Sequence, residues 1–125
     1  MNRQEEALQK TVVEGLRFAL PHGWIVAHIP NGGLRNKSEA GRLKAAGVVA
    51  GMPDLIILGP PDEGRAGAWF LELKDGRGTC SADQVDIHDR LRDMGPAIAV
   101  IRSWDEALIA CRRWRLPLRI SEGAR

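Results

Sequence analysis

Cysteine is scarce in this sequence. Cys80 and Cys111 are the two present, and they fall in neither a CxxC pair nor a Cys/His spacing. That leaves no sign of a disulfide framework or a zinc site, and the simplest reading is a reduced, cytoplasmic protein. Long apolar runs are missing too. None approaches the ~20 residues needed to span a bilayer, and the opening MNRQEEAL carries no apolar signal core, so no membrane partner is expected. Neither sign of charge dominates: 18 Lys and Arg against 16 Asp and Glu give a net +2. Any affinity for nucleic acid must therefore come from local clustering. There is no internal repeat and no low-complexity segment. No serine sits in a nucleophile elbow, and no glycine loop has a P-loop or dinucleotide pattern, so no small organic cofactor is read from the chain. His22, His28 and His88 lie in three separate elements without ligand spacing and read as surface or core residues.

What is present suits one compact core. The 125 residues, 44% of them hydrophobic, suffice for a single domain over 1–125. Leu8, Val12, Leu16 and Leu20 recur every four residues, which predicts an amphipathic helix over 4–20 stopped by Pro21. WIVAHI at 24–29 reads as a first strand ended by Pro30, Asn31, Gly32 and Gly33. A short helix over 38–46 follows, with Ser38 as its N-cap and Gly47 ending it. DLIIL after Pro53 is a second strand and WFLELK at 69–74 a third. Ser81 to Gln84 forms an S-x-x-Q capping box opening another helix, which Gly95-Pro96 ends. AIAVI at 97–101 is a fourth strand, and Ser103 to Glu106 is a second capping box starting a last helix that runs to about Trp114. The core order is αβββαβ, with a final helix added.

Three charges interrupt these apolar strands. Alternation puts Trp69, Leu71 and Leu73 on one face of the third strand and Phe70, Glu72 and Lys74 on the other. A carboxylate within a buried strand is costly unless a cation or hydrogen bonds compensate it. Taken alone, Glu72 and Lys74 read as a structural ion pair. Asp54 at the head of the preceding strand changes that reading, because adjacent strands bring Asp54 and Glu72 to one sheet edge. Two converging carboxylates repel, and a hard divalent cation with oxygen ligands relieves the repulsion.

Pro53-Asp54, seventeen intervening residues and Glu72-Leu73-Lys74 resemble the PD-(D/E)xK nuclease signature. Combined with Glu6 to Gln9, Asn31-Gly-Gly-Leu-Arg35, the stretch from Arg42 to Asp54, and Ser81 to Gln84, the pattern is similar to the VRR-Nuc domain over roughly residues 4–114. The resemblance implies a restriction-endonuclease-like α/β fold with a mixed four-stranded central sheet flanked by helices, in a stand-alone domain of the bacterial and phage type. It implies that Asp54, Glu72 and the backbone carbonyl of Leu73 hold Mg²⁺ or Mn²⁺, that Glu6 assists directly or through water, and that Lys74 and Gln84 complete the catalytic group.

The surrounding residues carry two readings each. At 100° per residue Gln9 falls inside the apolar stripe of the first helix, in a supporting place, and Glu6 at its edge beside Val13, with Glu5 directed elsewhere. An acidic residue in a helix's first turn also complements the dipole, which accounts for either glutamate. Gln84 serves the capping box, the lysine, or both. Asn31, Gly32, Gly33, Arg35 and Lys37 form an ordinary turn with solvated charges or a loop that approaches DNA phosphates, and Arg42 and Lys44 extend that surface. The arginines at 112, 113, 115 and 119 read as a solvated helix end. The implied activity is metal-dependent hydrolysis of DNA phosphodiesters, selective for branched DNA such as Holliday junctions and carried out by a homodimer. The alternatives are a non-catalytic nucleic-acid-binding module and a PD-(D/E)xK nuclease of sequence or flap specificity.

Overall fold

Proline and glycine set the boundaries seen in the computed structural model, which describes residues 2–30, 37–60 and 67–120. Helix α1 spans Arg3–Ala19 with Asn2 as N-cap, and Pro21 follows its last turn. Strand β1 is Ile25–His28, helix α2 is Lys37–Ala45, and strands β2 and β3 are Leu55–Gly59 and Gly67–Leu73. Helix α3 (Ala82–Met94), strand β4 (Ala97–Ile101) and helix α4 (Trp104–Arg113) complete the order. The expected αβββαβ succession with an added last helix is present, and the four strands make one mixed sheet in the order β1-β2-β3-β4. The first three strands are antiparallel, while β4 returns parallel to β3 after α3. A parallel partner requires such a crossover, and α3 supplies it.

The alternation along β3 sorts its side chains onto two cores. On one face Leu71 and Leu73 join Val12 and Leu16 of α1, Val26, Leu55, Ile57, and Ala107 and Cys111 of α4. On the other, Phe70 packs with Ile87 and Leu91 of α3. Each fully buried leucine contributes roughly 1.5–3 kcal/mol. All four tryptophans are half-buried and pack on the first core; Trp24 stacks on Trp69 with ring centroids 5.6 Å apart. The exposed large apolar residues include Phe18 and Met94.

Two local expectations change. Ser38 lies inside the first turn of α2 rather than at its cap, because the helix begins at Lys37. Its end agrees: Gly47 has φ 107°, and the bonds from Gly47 N–H to Lys44 and from Val48 N–H to Leu43 form a Schellman cap. At α4 only half of the expected box forms. Ser103 accepts from the Glu106 N–H, but the Glu106 carboxylate takes the Arg102 N–H at 2.8 Å instead of that of Ser103.

Candidate active site

The register of the β2/β3 pair builds the site. Leu55 lies opposite Leu71 and Ile56 opposite Phe70, so one step further along the same register sets Asp54 against Glu72. Both then share the face covered by α3. Asp54 is buried, and its Oδ2 accepts the Leu73 N–H at 2.8 Å. Its backbone carbonyl accepts from Ile29 N–H at 2.8 Å and lies 2.9 Å from His28 Nδ1, which ties the head of β2 to the end of β1.

Glu72 is only 1% exposed. Burial, then the charge of Asp54 and a hydrogen bond with that carboxyl group, push its pKa up to about 9, against a smaller opposing pull from Lys74. At neutral pH the metal-free pair therefore holds a proton. Lys74 Nζ stands 3.7 Å from Glu72 Oε2 and donates to Gln84 Oε1 at 2.8 Å. Gln84 in turn donates from Nε2 to Glu72 Oε2 at 3.1 Å, and its Oε1 also accepts the Ser81 N–H that closes the capping box. Both readings of Gln84 hold in one side chain: the cap fixes the amide, and the fixed amide spans the carboxylate and the lysine.

Two neighbouring features hold this group in place. Gly51 has φ 92°, and a Cβ there would lie 2.3 Å from the Asp83 carbonyl oxygen, so the turn before Asp54 rests directly on the start of α3. The loop after Lys74 is fastened by Arg102, whose guanidinium donates to the carbonyls of Asp75, Gly76 and Gly78, and by Asn2, which donates to Asp75 at 2.8 Å.

Glu6 and Glu5 lie in different surroundings on the first helix. The Glu6 side chain is 60% exposed and lies 3.8 Å from Lys10 on the outer face. Glu5 is half-buried, and its charge adds to the upward pressure on Glu72. Helical geometry accounts for the difference, since seven residues return Glu5 to within about 20° of Val12, whereas Glu6 lies about 120° away. Gln9 is half-buried on the same stripe, with its Oε1 lacking any partner. His88 was expected to be a surface or core residue, and it is buried; unanticipated is its Nε2 lying 3.5 Å from Glu72 Oε1.

Asn31, Gly32, Gly33 and Arg35 lie outside the described residues, as does the side chain of Lys37. Arg42 and Lys44 are exposed on α2, with Arg42 at 4.0 Å from Glu39.

A structure titled "VRR_NUC domain" superposes with a TM-score of 0.61, covering 90% of this chain and 99% of that one at 21% sequence identity. The chain has the VRR-Nuc fold. No family model matches the sequence, and no curated protein matches it. Within the VRR-Nuc fold, Asp54 immediately precedes β2, Glu72 lies on the adjacent β3 and Lys74 immediately follows it, with Gln84 above them on α3. Among the described residues no three His, Cys, Asp or Glu side chains converge as a complete ligand set. Mg²⁺ does not need one, because it is commonly held by one or two carboxylates and keeps several waters. The chemistry of the donors fits such an ion: two facing carboxyl groups crowded enough to retain a proton, and Glu72 Oε1 without a hydrogen-bond partner. No helix among the described residues is long and apolar enough to cross a membrane.

Proposed function

We propose that the chain is a divalent-metal-dependent endodeoxyribonuclease acting on branched DNA as a cytoplasmic homodimer. The observation that carries this reading is the buried Asp54/Glu72 pair with Lys74 and Gln84 bound to it. A fold that merely binds nucleic acid gains nothing from two carboxylates set where phosphates must approach. Asp54, Glu72 and the Leu73 carbonyl would hold Mg²⁺ or Mn²⁺, and Glu5 takes the water-mediated place that the resemblance gave to Glu6.

The metal supplies Lewis acidity to a phosphoryl oxygen and a more acidic water. The protein's own groups do the rest. Asp54 is held by the Leu73 N–H, so its orientation is set before substrate arrives. Lys74, steered by Gln84, offers a cation to the charge that develops on the phosphate oxygens. One such site cuts one strand, and a two-fold dimer would present two sites to opposing strands of a four-way junction.

Structure selectivity is tested with labelled linear, nicked, flap and four-way-junction DNAs in Mg²⁺ or Mn²⁺. The expected result is that the junction is cut fastest; equal cutting of linear duplex and junction contradicts the preference. Sedimentation equilibrium at micromolar concentration should give twice the chain mass, and a 13.7 kDa species contradicts the dimer.

A further inference from the structure

The buried side-chain atoms without a hydrogen-bond partner, among the described residues, are Gln9 Oε1, Glu72 Oε1 and His88 Nε2. Two of the three face each other. His88 is 3% exposed, and its Nε2 lies 3.5 Å from Glu72 Oε1, just too far to count as a good bond. An unpaired buried polar group costs about 1–3 kcal/mol, so two such atoms that a shift of a few tenths of an ångström would join are unlikely neighbours by accident of packing alone.

The helix that carries His88 gives the arrangement its logic. Gln84 and His88 are four residues apart on α3, hence on one face of it, while Ile87 and Leu91 anchor the helix against Phe70. Gln84 already holds Glu72 Oε2. His88 stands at the remaining oxygen.

We propose that His88 is a positioning residue for Glu72: its Nε2–H donates to Oε1 while Gln84 holds Oε2, so that one helical turn fixes the plane of the carboxylate that faces Asp54. The inference rests on the reading of Glu72 as a metal ligand. A neutral imidazole has one N–H and one lone pair, so the tautomer decides whether it can act this way. Fixing a ligand from behind is what outer partners of metal sites do, and their loss typically weakens metal affinity by 10–100-fold.

Two measurements on the full chain test this. In the Mg²⁺-saturated protein, ¹⁵N-edited NMR of the imidazole should show His88 as the Nε2–H tautomer. The Nδ1–H form, which turns a lone pair toward the carboxylate or the ion, overturns the proposal. Calorimetric titration with Mn²⁺ should show affinity about tenfold weaker in His88→Leu and largely restored in His88→Gln, whose amide N–H reaches a similar position. Circular dichroism first establishes that both variants fold. Wild-type affinity in a folded His88→Leu overturns the proposal and leaves the metal centre standing. A wild type that binds no Mn²⁺ overturns both.

Discussion

Glu72→Gln is expected to abolish metal-dependent DNA cleavage and, in EDTA, to make the protein more stable than the wild type as pH rises. Both halves follow from one carboxyl group. Glutamine keeps the shape and a hydrogen-bonding oxygen but offers a cation no charge. Losing several kcal/mol of transition-state stabilisation corresponds to roughly 10³-fold in rate or more. The stability effect has a definite sign. The folded pKa of Glu72 is raised from 4.5 to about 9, so its contribution to stability is fully present below about 4.5 and is lost as pH rises through about 9. Glutamine has no such loss. The gap in unfolding free energy between variant and wild type should therefore widen between pH 5 and 9, by an amount on the order of a few kcal/mol. Undiminished cleavage would remove Glu72 from the site, and a pH-independent gap would remove the shared proton.

Lys74→Ala should separate catalysis from metal binding. The ammonium group is held by Gln84 at 2.8 Å and stands 3.7 Å from Glu72, close enough to matter for charge and too far for a tight ion pair. Its removal should lower the cleavage rate by about 10²–10³-fold, the usual effect of deleting one group that stabilises developing negative charge. Mn²⁺ affinity should stay the same or tighten slightly, because a cation near the ligands has gone. Calorimetry and single-turnover cleavage measure the two separately. If affinity collapses instead, and excess Mg²⁺ restores cleavage, the lysine is a structural partner of Glu72.

The parts of this site that were legible from residues alone follow the short period of a strand. Alternation along β3 places Glu72 and Lys74 on the side opposite Leu71 and Leu73, and the β2/β3 register extends to Asp54, so apolar patterning and charge converge on one edge. Gln84 was legible for a different reason, as the fourth residue of a capping box that forms as written.

What was missed depended on finer angles or on distance in space. Glu5 and Glu6 are adjacent, and the coarse apolar stripe does not separate them; the seven-residue interval from Glu5 to Val12 is what turns Glu5 inward and leaves Glu6 exposed. His88 had no ligand spacing to mark it, since its partner lies on another element. Its signal was the four-residue step from Gln84, which is meaningful only once Gln84 is known to face Glu72. The half-formed box at Ser103 shows the limit of motif reading, because Arg102 N–H competes for the same carboxylate.

The central claim is that Asp54 and Glu72 form a metal centre whose proton leaves when the ion binds. Titrating the metal-free protein with Mn²⁺ at pH 7 in buffers of different ionisation enthalpy tests it most directly. With Glu72 at about 9, each ion bound should release about one proton. Binding without proton release, or no binding at all, contradicts the account.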